Sequence, residues 1–290
     1  MIAEARLENP VWSLEMICSW MKVSKSGFYA WRDRDTSHVD DPYEVELIYH
    51  IFERSRSKAG AKTIKMILLR SFFIVMNLKK IRRLMKKYGL RANVRRRSKY
   101  SSAHLINEEH ATVPNYLDRN FDVEEPGTVF CTDITNLDYG NGQRAYLSVV
   151  QDVATNEIVH YKLNTNMSLG LAVDGIRNLY FNLKSKGRNA IMVHSDQGSH
   201  YTSKSYRRIL EDLDILQSMS RRGCSPDNGL IESTFGHMKD EMDYKFCRSY
   251  EELEKVVRDY VWYYNYERPQ WGLETRTPAE CRGSKLGAFL

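Results

Sequence analysis

The sequence predicts an α/β protein, with a mixed β-sheet flanked by helices, all-helical modules before the sheet and a C-terminal helix after it. Three observations predict this class. The first part of the chain has helical periodicity without strand patterns, three β-rich runs separated by turn residues follow Pro126, and helix-like and strand-like segments alternate after them. Hydrophobic residues form 42% and charged residues 28% of the 290 positions, which is typical of a globular protein.

The composition also argues against several classes of protein. No apolar run is long enough to cross a bilayer, and the first ten residues lack the apolar region of a signal peptide. Five scattered cysteines without a CxxC pair argue against a disulfide framework or a cysteine zinc site. We therefore expect a cytoplasmic protein without a membrane partner.

Two short helical patterns near the N-terminus have the outline of a helix-turn-helix. The first places Trp12, Met16 and Trp20 on one face, and the second begins after Ser24, a residue type that favours helix N-caps. A helix-turn-helix presents the start of its second helix to DNA bases. We therefore predict a helix-turn-helix over residues 1–40, while noting that two helices joined by a tight turn are common in any α-helical protein.

A strongly basic segment follows, with 17 Lys or Arg residues and no Asp or Glu between Arg54 and His104. The remainder of the chain keeps 26 of the 43 basic residues against all 37 acidic ones. Charge runs are usually solvated helix faces, but a segment this long without acids favours a polyanion such as nucleic acid. We predict a basic helical DNA-binding domain over residues 41–92 and a basic linker over 93–124.

The predicted DNA contacts lie on one helix and in the linker. The helix predicted from Leu78 to Tyr88 buries an apolar stripe and leaves a polar face that is entirely basic. The linker lacks helical periodicity and contains three consecutive arginines, which suit contact with a DNA backbone. The residues expected to bind DNA are Lys79, Lys80, Arg82, Arg83, Lys86, Lys87, Arg95, Arg96 and Arg97.

The sheet and its helices are predicted over residues 125–246. Strands are expected at 129–133, 145–152, 158–163, 190–193 and 215–219, and helices at 168–186, 203–212 and 228–242. Residues 247–290 are predicted to form a long helix over 251–266 and an irregular tail.

Three acids are candidates for a metal site. Asp133 and Asp196 each end a predicted strand, and side chains at strand ends gather in the cleft where ligands bind in open α/β sheets. Glu232 lies in the first turn of the helix predicted after Asp227, an N-cap candidate, and 35 residues separate it from Asp196. Hard divalent cations prefer such oxygen ligands, and two ions about 4 Å apart support phosphodiester displacement.

Spacing alone does not select these three acids. An Asp at a strand end is often a turn or cap residue, and Asp138, Asp152 and Asp174 compete with Asp133 for the first position. Short motifs around the acids decide between them, and these motifs follow one another in a fixed order along the chain. They include Thr132-Asp133-Ile134-Thr135, His194-Ser195-Asp196-Gln197-Gly198, Ser225-Pro226-Asp227-Asn228-Gly229, Lys239-Asp240-Glu241 and Arg268-Pro269.

These motifs, joined to the Asp-35-Glu spacing, resemble the catalytic subunit, OrfB, of the IS3 family of insertion-sequence transposases, a branch of the DDE integrase superfamily. The resemblance covers nearly the whole chain, from the helix-turn-helix near Cys18 to Pro278. It implies an RNase H-like core in which Asp133, Asp196 and Glu232 are the catalytic acids and metal ligands. Asn228 matches the asparagine that accompanies them.

Two further residues are assigned by their position near these acids. Lys239 lies seven residues after Glu232, on nearly the same helix face, and is expected to contact a terminal phosphate, with a solvated lysine as the equal alternative. His194 is expected to support the active site as a hydrogen-bonded structural histidine. Several aromatic residues lie on the last long helix and are of the kind that stacks on nucleic-acid bases. We expect instead that several of them dock this helix on the core. They are Tyr260, Trp262, Tyr263, Tyr264 and Tyr266.

The resemblance also implies an activity and its partners. Two Mg²⁺ ions, with Mn²⁺ as a substitute, are expected to support cleavage at terminal inverted repeats to a 3′-OH, followed by joining of that end to DNA. The partners are double-stranded DNA, both the element's terminal repeats and its target, and a second copy of the chain on DNA. An upstream-frame product, OrfA, is expected as a fusion or partner, and the location as bacterial and nucleoid-associated.

The sequence departs from the family pattern at two places. Phe130 stands where Trp is frequent, and Gln270, followed by Trp271, stands where His usually follows Arg268-Pro269.

Two other functional classes stay open: a non-catalytic DNA-binding regulator that occupies the repeats, and an RNase H-like nuclease acting on RNA hybrids or branched DNA. A strand-transfer assay distinguishes the regulator, because a protein that only binds DNA yields no joined product. The basic helix-turn-helix module predicts sequence-specific binding of duplex DNA and therefore argues against the nuclease.

Overall fold

The computed structural model describes residues 12–32, 40–93, 112–184 and 191–287. The chain divides into two compact units, residues 1–47 and 48–290. The domain boundaries predicted at residues 40, 92, 124 and 246 stay predictions. In the described part of the chain, no helix combines the length and the apolar character needed to span a membrane.

The first unit contains the two predicted N-terminal helices. Helix α1 covers Leu14–Trp20 and helix α2 covers Lys25–Arg32, and each begins after a serine whose hydroxyl accepts a backbone N–H of the first turn. The core of this unit is formed by Leu14, Cys18 and Phe28. The predicted face of Trp12, Met16 and Trp20 lies outward instead, with the two tryptophan rings 5.3 Å apart and edge to face.

Three helices lie in the region predicted as a basic helical domain, residues 41–92. They are α3 (Pro42–Arg54), which runs across the division between the units, α4 (Ala61–Phe72) and α5 (Leu78–Lys87). Asn77 caps α5 by accepting the Lys79 N–H at 2.8 Å. The predicted amphipathic helix is confirmed, because Ile81, Leu84 and Met85 are buried while its cations lie on the outer side.

The predicted mixed sheet is confirmed and has five strands, β1 (Val129–Tyr139), β2 (Gln143–Asp152), β3 (Ile158–Asn164), β4 (Ile191–Ser195) and β5 (Ile215–Met219). Their order in the sheet is β3-β2-β1-β4-β5. The first three pair antiparallel, as a meander, and β4 and β5 add in parallel to β1. This is the RNase H-like arrangement that the resemblance implies.

Helices cover both faces of this sheet. The helices after β3 are α6 (Leu169–Lys184), α7 (Ser199–Thr202), α8 (Lys204–Asp212), α9 (Gly229–Glu241), α10 (Tyr250–Tyr266) and α11 (Pro278–Gly287). On one face Val149 joins a core with Phe235 of α9 and Val257 of α10. Its neighbour Val150 points to the other face, toward Ile176 of α6. The alternation along one strand therefore builds two separate apolar layers.

Part of the basic segment forms ion pairs and ring contacts within the second unit. Arg70 makes two hydrogen bonds to Glu280, at 2.8 and 2.7 Å, and Lys58 reaches Asp243 at 2.7 Å. The ammonium groups of Lys62 and Lys65 lie 5.8 and 5.7 Å from the ring centre of Trp271. These cations attach the basic helices to the C-terminal half, so not all of the charge excess is available for a nucleic acid.

The prediction of an irregular tail after residue 266 is wrong, because this part of the chain contains helix α11. The Thr277 hydroxyl accepts the Glu280 N–H at 3.3 Å, and the Glu280 carboxylate accepts the Thr277 N–H at 2.8 Å. This reciprocal pair is a capping box, and Pro278 occupies the first helical position, where its missing N–H costs nothing. The four residues Thr-Pro-Ala-Glu carried the signal in the sequence.

Replacement of the buried Thr277 by valine is expected to lower the free energy of unfolding by about 1 kcal/mol, because the cap hydroxyl is lost without a change of volume. Urea denaturation measures the change. Thr277→Ser keeps the hydroxyl and serves as the control with a smaller loss. A valine variant as stable as the native protein would contradict the capping role.

Candidate active site

The register of two parallel strands places Asp133 beside Asp196. The last pair between β1 and β4 is Cys131 opposite His194, and each aspartate lies two residues beyond it. Residues in register on neighbouring strands point to the same face of the sheet. The prediction that a strand ends at Asp133 is wrong, because β1 continues along β2 as far as Tyr139. The strand that ends at this level is β4, at Ser195.

The carboxyl group of Asp133 is in an environment that disfavours its charge. Burial raises its pKa well above the ordinary value, and the nearby charges of Asp196 and Glu232 raise that pKa further. The Ile134 N–H, which donates to Asp133 Oδ1 at 2.7 Å, and the Lys239 ammonium act in the opposite direction. The three sequence-predicted acids and Lys239 therefore interact electrostatically in one neighbourhood.

Asp196 lies in a tight turn between β4 and α7. Its Oδ1 accepts the Gly198 N–H at 2.8 Å. A Cβ atom at position 198 would come within 2.9 Å of that same oxygen and 3.5 Å of the buried Tyr201 ring. A larger residue at position 198 would therefore have to displace the Asp196 carboxylate, whereas glycine allows the close approach of the backbone.

Glu232 lies in the first turn of α9, where the helix dipole favours a negative charge. Its side chain is exposed, and its Oε2 accepts a hydrogen bond from the Ser225 hydroxyl at 2.5 Å. Over the described ranges, no group of three or more His, Cys, Asp or Glu side chains is placed so that it could hold a metal ion. The hydrogen bond to Ser225 occupies one of the two oxygens that Glu232 has to offer.

The predicted N-cap role of Asp227 is wrong. Residues Ser225–Asn228 form a 3₁₀ turn, and α9 begins at Gly229 without a side-chain cap. The Asp227 carboxylate is fully buried and binds the guanidinium groups of Arg221 and Arg119 instead. One nearby and one distant guanidinium group compete successfully with a helical N–H, because hydrogen bonds to charged groups are the stronger ones.

The donor atoms near these acids fit a hard divalent cation. The three carboxylates offer oxygen ligands, which Mg²⁺ and Mn²⁺ prefer. Asn228 adds a buried side-chain oxygen that accepts no hydrogen bond from another described residue. A cation in this position would offset the repulsion that raises the pKa of Asp133. The residue types present therefore fit such an ion, although their present arrangement does not form a complete ligand set, because Glu232 has to leave Ser225 first.

His194 is held inside the protein, as expected for a structural histidine. Its Nδ1 lies 2.9 Å from the Ser218 hydroxyl and its Nε2 lies 3.0 Å from the Ser220 hydroxyl. Burial lowers the pKa of the imidazole, which favours the neutral ring. His194 therefore ties β4 to β5 and the following loop, immediately before Asp196.

The acids that competed with Asp133 in the sequence each have another partner. Asp152 is buried and accepts hydrogen bonds from Gly127 N–H and from Thr155, so it fixes a turn. Asp138 pairs with Arg144 at 2.6 Å, which lowers the pKa of that exposed carboxyl. Asp174 pairs with Lys162. Each of these three carboxylates therefore has a hydrogen-bond or ion-pair partner outside the group formed by Asp133, Asp196 and Glu232.

The cations predicted to bind DNA are placed only in part. Lys79, Arg82, Arg83, Lys86 and Lys87 are exposed and Lys80 is half-buried on α5. The predicted contacts Arg95, Arg96 and Arg97 lie outside the described residues. Near the C-terminus the docking prediction is confirmed for Tyr260 and Tyr264, which are buried, whereas Trp262 and Tyr266 are exposed.

Sequence reasoning missed a buried polar network behind α9. Gln151 of β2 accepts the Thr234 hydroxyl at 3.0 Å and donates to the Tyr264 hydroxyl at 3.1 Å. The family-typical Glu241 and Arg268 form a bidentate ion pair, at 2.8 and 2.9 Å, behind the same helix. These motif residues hold α9 against the core and α10. The signal available in the sequence was a glutamine, Gln151, within the apolar run predicted as a strand.

Comparison with known proteins finds two kinds of domain, and the HTH-like match falls on the segment predicted as a basic helical domain, not on the helix-turn-helix predicted over residues 1–40. Integrase core domain models match residues 123–225 and 213–278, and an HTH-like domain model matches residues 39–98. The chain is 32% identical over 264 residues to the InsK transposase of insertion sequence element IS150 of Escherichia coli (strain K12), covering 90% of each chain. It is 35% identical over 214 residues to a transposase-like protein of Haemophilus influenzae, covering 73% of this chain and 96% of that one.

Among solved structures, the chain is similar to the HTLV-2 integrase catalytic core domain in complex with magnesium. The sequence identity is 15% and the TM-score 0.41, over 54% of this chain and 97% of that chain.

Replacement of Asp133 by asparagine is expected to raise the melting temperature in EDTA at pH 7. The pKa of Asp133 is higher in the folded chain than the unfolded value of about 3.9, so its ionisation removes stability as the pH rises between the two values. The advantage of the asparagine variant should therefore shrink as the pH is lowered. Thermal unfolding followed by circular dichroism between pH 5 and 8 measures this.

Asp138→Asn is the matched control on the same strand. Arg144 lowers the pKa of Asp138, which means that the charge of Asp138 is favourable in the folded chain. Removal of the Asp138 charge is therefore expected to bring no gain in stability. A melting temperature for Asp133→Asn that is equal to or below the native one at pH 7 would contradict the electrostatic description of the site.

Proposed function

The chain belongs to the IS3 family of insertion-sequence transposases, and on this premise we propose that it cuts the terminal inverted repeats of its element and joins the ends to DNA. Its general activity is DNA transposition, as a polynucleotidyl transferase of the DDE type. In the proposed reaction a phosphodiester is hydrolysed to expose a 3′-OH. That 3′-OH then attacks a second phosphodiester, whose leaving 3′-oxygen departs as the new bond forms.

The observation that carries the proposal is the parallel register that sets Asp133 beside Asp196, with the charge of Glu232 nearby. We assign these three side chains as the catalytic acids and as ligands of two Mg²⁺ ions, for which Mn²⁺ substitutes. The bound ions supply activation of the attacking oxygen and stabilisation of the leaving oxygen. No covalent enzyme intermediate is needed.

The chain's own residues have separate tasks in this reaction. Asp133 and Asp196 hold their carboxylates at a fixed position on the sheet, and Gly198 keeps the Asp196 turn tight. Glu232 exchanges the Ser225 hydroxyl for the metal site. Asn228, the last residue of the turn before α9, adds a buried side-chain oxygen. Lys239 brings a positive charge toward the phosphate that reacts.

The N-terminal helices are proposed to bind double-stranded DNA, both the terminal repeats and the target. The outer face of α5 offers a row of cations to phosphates, and α1 and α2 have the two-helix arrangement that enters a major groove. Because joining brings two ends together, we propose at least a dimer on DNA, with OrfA as fusion or partner. The proposed location is the bacterial nucleoid.

Asp133→Asn, Asp196→Asn and Glu232→Gln are each expected to abolish joining of a labelled terminal-repeat end while leaving its binding intact, because each removes a metal ligand but no DNA contact. Joined products are measured on gels with Mg²⁺ or Mn²⁺, and binding by electrophoretic mobility shift. Asp138→Asn, an exposed acid of the same strand, is the control and should keep full activity.

Two results would overturn this assignment. Joining that persists in any one of the three variants would remove that residue from the site. Native protein that binds the repeats but yields no joined product from a pre-cut end, with or without OrfA, would favour the DNA-binding regulator instead.

Arg82→Gln with Arg83→Gln is expected to weaken binding to terminal-repeat and unrelated DNA alike, because phosphate contacts carry no sequence information. The slope of log affinity against log salt should fall by up to about 2, since two phosphate contacts are lost. Fluorescence anisotropy at several salt concentrations measures both. Arg258→Gln, which removes an exposed cation on α10, is the control, and an equal effect there would contradict a specific role for α5.

A further inference from the structure

Among the described residues, the Asp227 carboxylate accepts an unusually large number of hydrogen bonds, and it lies shortly before Glu232 in the chain. Its side chain is fully buried, and its two oxygens accept hydrogen bonds from Arg221 and Arg119. The donors on Arg221 are the backbone N–H at 3.0 Å, Nε at 2.8 Å and Nη2 at 2.9 Å, and Arg119 Nε donates at 2.6 Å. Asn115 adds a fifth bond at 3.1 Å. These partners hold the pKa of Asp227 far below its usual range.

Two of these partners come from a distant part of the chain. Asn115 and Arg119 belong to residues 113–119, here named the strap, which lies along the edge strand β5. The Met219 N–H donates to the Pro114 carbonyl at 3.3 Å, and the Ser218 hydroxyl accepts two strap N–H groups, at 2.9 and 3.2 Å. The strap is thus bonded both to the sheet and to Asp227.

The position of Asp227 gives these bonds a consequence for the site. Asp227 lies directly before Asn228, in the 3₁₀ turn that leads into α9 and Glu232. The same turn contains Ser225, whose hydroxyl contacts Glu232. The described hydrogen bonds of the Asp227 side chain do not include the aspartates of the sheet, so its effect on them is indirect. It passes through the turn and through His194, with which the backbone and the charge of Asp227 interact. A buried carboxylate that loses its cations is strongly unfavourable, so the arrangement has few alternatives.

We propose that Asp227 is a positioning residue, which together with Arg221 and the strap residue Arg119 fixes the turn carrying Asn228 and the start of α9. It contacts neither DNA nor metal and acts through Asn228 and Glu232. The proposal rests on the proposed function for its catalytic consequence, while the fixing of the turn stands independently of it. Misplacement of reacting groups by about 1 Å costs on the order of 100-fold in rate.

The main variants are Asp227→Asn, which keeps the size but removes the charge, and Arg119→Gln, which removes a half-exposed partner and leaves Arg221 on Asp227. Arg119→Lys keeps the positive charge and tests rescue. Asp118→Asn is the matched control, because Asp118 is also a strap carboxylate on Arg221, at 3.2 Å, but is 73% exposed.

Two readouts separate positioning from general stability. The first is the rate and the DNA concentration dependence of joining, which give kcat and KM. For Asp227→Asn and Arg119→Gln we expect kcat to fall about 10- to 100-fold with KM nearly unchanged, with partial recovery in Arg119→Lys and no change in Asp118→Asn. The second is hydrogen exchange of the full chain, where amides of residues 220–232 should exchange at least about 10-fold faster while β1 and β2 stay protected.

Several outcomes would overturn the proposal. If both main variants join DNA with the kcat of the native protein, Asp227 has no positioning role in the reaction, whatever the result of hydrogen exchange. Faster exchange throughout the core, with a lower melting temperature and recovery only on cooling, makes Asp227 a general stabiliser. If the native protein joins no DNA, the proposed function fails, and exchange of residues 220–232 alone decides whether Asp227 fixes the turn; unchanged exchange in Arg119→Gln rejects it.

Discussion

The parallel pairing of β1 with β4 is the constraint on which the rest of the site depends. Two residues beyond their last pair, β1 supplies Asp133 and the turn after β4 supplies Asp196, so the backbone register brings the two carboxylates together. The arrangement is electrostatically unfavourable in the chain by itself, since burial and the neighbouring carboxylates raise the pKa of Asp133. The sheet, with apolar layers on both faces, holds the two groups together against that repulsion. A site that costs stability and fits a divalent cation is typical of a functional site.

The third acid depends on a different kind of support. Glu232 stands on α9, whose far side is tied to the core by the Gln151–Thr234 hydrogen bond and by the ion pair of Glu241 with Arg268. Its near end is tied by charge through the turn before the helix. Two aspartates are therefore fixed by backbone register, while the glutamate is fixed by side-chain bonds and keeps one exposed partner to exchange.

The sequence was sufficient to predict the periodic helices and strands and to recognise the motifs of the family. The all-basic face of α5 and the alternating pattern of the strands follow from local periodicity, so their prediction needed no tertiary information. It was insufficient where a distant partner decides. Asp227 resembles an N-cap locally, but Arg119, 108 positions away in the chain, gives it another role. The helix after Thr277 was within reach, since its capping box is local, and was missed.

The most direct test of the central claim is anomalous diffraction from crystals of the native protein soaked in Mn²⁺. We expect an anomalous peak beside the carboxylates of Asp133 and Asp196, with the Glu232 side chain moved away from Ser225. A peak at other acids and none beside these two aspartates, at a Mn²⁺ concentration that supports joining, would contradict the assignment of the site.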